Sequence, residues 1–294
     1  MTTNDLSRAI GPRSARKALG DIVRVGTYAA LILWTLGQVL PLAFLFINAF
    51  KTDAQIVLYP LSLPDSPHFE NFTRMLFEGS IYQPMAPYLV NSFIVTGLTL
   101  AFLTTVSAMA AFGLSRYSFP GRELIYRLVL LTLAVPVHAA LIPVFVLMGT
   151  LGLRNNLIGI ALLYSAFWLP LTVVVLRAYF SSFPSEVIDA ARVDGASEFR
   201  MFRQIVIPMS RGAISSMAIV NFVGIWSELL FAFIILNKST SQTITVGLLG
   251  YTSQYATDHA LVFAAMAAAT LPTLLFYLVF QRQITRGMTM GAIR

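Results

Sequence analysis

Six stretches of this chain, residues 25–50, 88–115, 128–153, 155–176, 212–237 and 259–281, are almost free of charge, Glu228 being the one Asp, Glu, Lys or Arg within them. Each supplies the roughly 20 residues that a helix needs to cross about 30 Å of hydrocarbon. Lipid offers no partner to a bare backbone N–H or C=O, so a spanning run must close its hydrogen bonds within itself, as a helix does. The expected fold class is therefore an all-α integral membrane protein with six transmembrane helices. With 57% hydrophobic and 11% charged residues the chain departs far from soluble domains, in which about a quarter of residues are charged.

The segment ahead of the first run is basic (Arg8, Arg13, Arg16, Lys17, Arg24). The apolar run that follows exceeds a signal peptide's core and lacks a small-residue cleavage site, so it is expected to remain as the first span. Of the 20 Lys and Arg, only Lys51, Arg74, Arg154 and Lys238 fall in the odd-numbered connections. The others gather at the two ends and in the second-to-third and fourth-to-fifth connections. Cytoplasmic segments accumulate such charge, so both termini are expected in the cytoplasm. The implied organisation is an N-terminal tail (1–24), a six-helix domain (25–282) and a C-terminal tail (283–294), with an external loop at 51–87 and a cytoplasmic loop at 177–211. In the external loop, Phe69, Phe72, Leu76 and Phe77 recur at near-helical spacing and predict a short helix.

Net charge is +7, but the basic residues are spread between apolar runs rather than clustered with recognition elements. Membrane lipid, and no nucleic acid, is the expected partner. With no cysteine, disulfides and thiolate metal sites are excluded.

The fourth-to-fifth connection breaks the apolar pattern with SSFPSEVIDAARVDGASEFRMFRQIVIPMS. Pro184 suits a first helical position, and Glu186 and Asp189 lie near the positive end of the helix it opens. Asp194 and Gly195 form a helix stop, because glycine adopts the left-handed conformation without steric cost. Ser197 can cap a second helix with Phe199, Phe202 and Ile205 on one face. Two short helices joined by a sharp turn suit docking into a partner's groove.

DAARVDGASEFRMFRQIVIP resembles the EAA loop of bacterial ABC import permeases, with Asp189, Ala190, Ala191, Gly195 and Pro208 on the motif positions. NSFIV, SRYSFPGRE, GLRNN, WSELLFAF and RGMTMGAIR extend the resemblance to the carbohydrate-uptake class, in particular to the second permease subunit of maltose-type systems. The resemblance implies that the loop is a coupling helix pair between the fourth and fifth helices. Its contact residues would be Glu186, Asp189, Ala190, Ala191, Asp194, Gly195, Ala196 and Phe199. Asp189 would meet a basic residue of an ATPase, Ala190 and Ala191 would keep that contact close, and Gly195 would form the bend. Asp189 stands where the family usually has glutamate, so Glu186 is a second candidate for the ion pair. The implied partners are a second permease subunit in a heterodimer, an ABC ATPase dimer at the cytoplasmic face and an external solute-binding protein. The implied location is the bacterial cytoplasmic (inner) membrane.

No lysine of this chain follows a glycine, so it has no phosphate-cradling loop of its own. It is expected to be non-catalytic and to bind no cofactor, with ATP and magnesium held by the separate ATPase. No catalytic set or metal-ligand spacing is visible.

Three polar groups within the spans are candidates for the solute path. Glu228 must be paired, neutral or wet; it either meets a sugar hydroxyl or the neighbouring permease on the path, or lies near the outer third of the fifth span, satisfied by a backbone or Ser227 contact. His138 lies midway along the third run, and Asn91 opens the second, where capping or bridging is the alternative. An ion-coupled secondary transporter is the rival reading, with Glu228 and His138 as its relay.

Overall fold

The structure, a computed structural model, describes residues 12–78, 83–251 and 258–290. Parts of the expected tails (1–11 and 291–294) and of the external loop (79–82) lie outside the described residues.

Every regular element among the described residues is helical. In chain order they are α1 (Pro12–Ala49), α2 (Asp53–Leu58), α3 (Glu70–Thr73, continued as a π turn over Arg74–Glu78), α4 (Ala86–Arg116), α5 (Arg122–Ala134), α6 (Leu141–Thr150), α7 (Leu157–Ser181), α8 (Ser185–Val193), α9 (Glu198–Met201), α10 (Ile207–Trp226), α11 (Leu230–Ile235), α12 (Ile244–Tyr251) and α13 (His259–Met290). α1, α4, α7, the run Glu198–Trp226 and α13 are each long and apolar enough to cross a membrane, and α5 with α6 makes a sixth candidate if the bent pair is one span.

Two expected spans differ from the sequence reading. The third run does not form one straight rod: α5 and the Val137–Thr150 segment meet at 92°. Pro136 has no N–H to donate, and Val135 before it is extended (φ −86°, ψ 123°), the conformation that a following proline imposes. Pro41, Pro170 and Pro272 remain inside continuous helices. The fifth run falls in a continuous helix over Glu198–Trp226, long and apolar enough to hold a span, rather than in a helix over 212–237, because the helix stops at Trp226 and restarts at Leu230.

α4 and α7 form the closest helix pair and run parallel. Thr99 Oγ1 donates to Ala161 O (3.4 Å), Arg177 Nε to Leu114 O (3.2 Å) and Arg116 Nη2 to Phe180 O (2.6 Å), a constant register along the pair. Ser107, Ala108 and Ala111 are fully buried and let the backbones approach where large side chains would hold them apart. At one end of the bundle, α8 and α9 pack on Phe112, Leu176 and Phe180. At the other, α2, α3 and α12 gather around α13, where Met75, Met85, Tyr88, Trp226 and Tyr251 form a core.

Polar contacts between segments distant in sequence help to hold that second end together. Arg74 Nη2 pairs with Asp258 Oδ2 (2.8 Å), and Asp53 Oδ1 accepts from Ala260 N (2.7 Å) at the start of α13. Beside them Lys51 is fully buried and donates to Tyr59 O and Pro60 O, both at 3.0 Å. Burial lowers its pKa, and the charge of Asp65 opposes that shift.

Candidate functional site

The polar connection forms an elbowed pair of helices. α8 starts at Ser185, so Pro184 is its cap rather than its first helical residue. The helix ends at Asp194, whose N–H bonds to Ala190 O, and Gly195 turns the chain at φ 75°. Ser197 Oγ then accepts from Arg200 N (3.3 Å) and caps α9.

The pair has an inner and an outer face. Ile188 and Ala191 are buried among Phe112, Leu176, Phe180 and Met201. Ala191 therefore faces the bundle, although the family resemblance set it beside Ala190 on the contact surface. Consecutive helical residues point about 100° apart, whereas Ile188 and Ala191, three apart, share a face. Glu186, Asp189, Ala190, Asp194 and Gly195 are exposed, and Ala196 is half-buried. Val193 (87% exposed) and Phe199 (65%) add large apolar groups to the outer face. In the second helix the buried positions are Met201 and Val206; Phe202 and Ile205 are half-buried and Phe199 points outward. The π turn over Phe202–Val206 shifts the face away from the spacing of three.

A polar network supports the elbow from behind. Tyr117, in the connection after α4, donates its phenol to Glu198 Oε2 (2.5 Å). Arg192 Nε donates to Glu198 Oε1 (3.2 Å), and its guanidinium lies 3.7 Å from Asp189. The Tyr117 phenol chiefly, then Arg192, holds the Glu198 carboxyl below the usual carboxylate range. Burial first, and Glu198 second, pushes Tyr117 up to about 12. Tyr117, Arg192 and Glu198 were missed as site residues; the visible signals were the Ser197–Glu198 helix start and a tyrosine just beyond an apolar run.

The second polar region is a cavity of about 510 Å³ at the two helix breaks, lined in part by Val137, His138, Phe167, Trp168, Glu228 and Phe231. His138 and Glu228, far apart in sequence, line the same space. His138 stacks on Phe231 with centroids 6.3 Å apart and planes 17° apart. The Glu228 carboxylate accepts from Phe231 N (2.9 Å), Ala232 N (3.1 Å) and the Tyr164 hydroxyl. It thus caps α11, while Thr245 Oγ1 donates to Glu228 O (2.8 Å). Glu228 remains half-buried at the cavity wall, so the cap leaves part of the residue facing the space. Aromatic faces beside a carboxylate and an imidazole suit noncovalent binding of a polar ring.

Asn91 lies elsewhere. Its Nδ2 donates to Thr240 O (3.0 Å) and Gln242 O (2.9 Å), joining α4 to the segment between α11 and α12. No cluster of three or more His, Asp or Glu fit to hold a metal occurs among the described residues.

Residues 104–290 match the family described as the binding-protein-dependent transport system inner membrane component. The diacetylchitobiose uptake system permease protein NgcG of Streptomyces coelicolor is 36% identical over 91% of this chain and 88% of its own length. The lactose transport system permease protein LacG of Rhizobium radiobacter is 31% identical, over 95% and 98% respectively. The fold is similar to that of a bacterial ABC transporter that imports alginate, with a TM-score of 0.79, 20% identity, and coverage of 93% of this chain and 98% of that one. The chain therefore belongs to the family of inner membrane components of binding-protein-dependent transport systems.

Proposed function

We propose that this chain is one permease subunit of an ABC importer that moves a carbohydrate or carbohydrate-like solute across the cytoplasmic membrane. The observation that carries the reading is the exposed helix elbow, rooted in the bundle through Ile188 and Ala191 and presenting Asp189, Ala190, Val193 and Phe199 outward. Relatives named for diacetylchitobiose and lactose uptake support a sugar as the solute. The family assignment favours this reading over an ion-coupled carrier.

In this reading the arginine-rich end, with α8 and α9, faces the cytoplasm and meets a separate ABC ATPase dimer that holds ATP and magnesium. A second permease completes the membrane unit, and an external binding protein delivers the solute. A bacterial alginate ABC transporter of similar fold is known in complex with an alginate pentasaccharide-bound periplasmic protein, which supports the external partner. Here Asp189 and Glu186 offer carboxylates to a basic group of the ATPase. The cavity of Glu228 and His138 lies on the solute path: sugar faces stack on Trp168 or Phe167, and hydroxyls bond to the polar groups. The chain does no covalent chemistry. Free energy enters because the ATPase binds two arrangements of the helices with different affinity.

Vesicles carrying the full complex test this. Uptake should stop without internal ATP and continue when the proton gradient is collapsed. The reverse pattern would return the carrier reading.

A further inference from the structure

The elbow and the cavity lie at opposite ends of α5, and the contacts along that helix connect them. The connection from α4 contains Tyr117, bonded to Glu198 at 2.5 Å, and ends at Gly121 with φ 85°. Arg122 Nη1 donates back to Tyr117 O (3.3 Å), joining the first residue of α5 to the bonded tyrosine. One turn further on, the Tyr126 ring lies under the Arg177 guanidinium of α7, 3.5 Å from centroid to Cζ, a cation–π contact. Two further turns, about 10 Å, lead to Leu133, which with Val137 and His138 lines the cavity. None of the α5 residues is fully buried inside this chain; Arg122, Tyr126 and Val129 are half-buried, and α7 is the main helix it rests on.

We infer that α5 is a lever, pivoting at Tyr126 on Arg177, and that the Tyr117–Glu198 hydrogen bond links its near end to the α8–α9 elbow. Tyr117 and Glu198 are positioning residues: displacement of the elbow draws Tyr117 with it and swings Leu133, Val137 and His138 at the cavity. A hydrogen bond to a carboxylate is short and strong enough to transmit such a displacement. Loss of the phenol leaves the elbow in place, because Ile188, Ala191 and Met201 still anchor it. The inference rests on the reading of the elbow as the ATPase contact.

Because the chain has no cysteine, spin labels can be placed at chosen positions once partner chains are freed of theirs. One pair joins L131C on α5 to L162C on α7, and the other joins Q204C beside α9 to L162C. Both distances are measured in the full complex, reconstituted in lipid, with and without ATP-magnesium. In the parent both should change. In Y117F and E198A the Gln204 distance should still change while the Leu131 change is lost; E198Q keeps an acceptor for the phenol and should retain it. A full Leu131 change in Y117F and E198A would overturn the lever alone, as would a parent in which only the Gln204 distance responds. If neither distance responds to ATP in the parent, the ATPase-contact reading falls and the lever falls with it.

Discussion

Gly195 concentrates the elbow's conformational demand in one residue. At φ 75° it has no other atom within reach of an added Cβ, so any substitution penalty there is backbone strain rather than collision. Side-chain-bearing residues pay about 1–2 kcal/mol in that conformation, and a β-branched residue is the least tolerant. Gly195→Val should reduce the ATPase recovered with the purified complex roughly tenfold, whereas Gly195→Asn should retain most of it; pull-down of the two variants checks this. Glu198 gives a pH signature. Its folded pKa is depressed, so its contribution is complete above the ordinary carboxylate value near 4.5 and is lost as pH falls through the lower folded value. Tyr117, raised to about 12, contributes fully below its ordinary value of 10 and loses that contribution as pH rises toward 12. Hydrogen-exchange protection of the α8–α9 amides should therefore fall at both extremes, and Tyr117→Phe should flatten both limbs.

At the level of the element, the informative places are the two breaks. The charge-free runs made the membrane helices legible, and the Asp194, Gly195 and Ser197 signals located the elbow. The bends were not legible, because hydropathy counts residues without regard to direction. Pro136 breaks a helix while Pro41, Pro170 and Pro272 sit within continuous ones, so a proline in the sequence does not by itself mark a bend. Beyond the stop after Trp226, Glu228 is held by Tyr164 and Thr245, which approach it only in the folded bundle. α12 has too few residues to be told from part of a span by composition. Glu228→Ala would leave Phe231 N and Ala232 N without their acceptor, at about 1–3 kcal/mol for each buried group. The thermal midpoint in detergent should fall by several degrees, and Glu228→Gln, which keeps one acceptor oxygen, should fall less.

Across the whole molecule, contacts distant in sequence fix how the helices are arranged. Asn91 joins α4 to carbonyls some 150 positions later, at Thr240 and Gln242. Asn91→Ala should cost about 1–3 kcal/mol in stability and leave ATPase recovery intact; a calorimetric scan beside the pull-down separates this from a role in solute affinity. α1 behaves differently. It touches α13 near its final turns, where Phe44 meets Phe263, and within the span Gly20–Ala49 only 6% of the apolar window is buried. Most of its surface is solvated from outside the chain. Only its last turns, where Leu45, Asn48 and Ala49 are buried, are tied to the rest of the described fold, so its long outer face is left to lipid or to a partner chain.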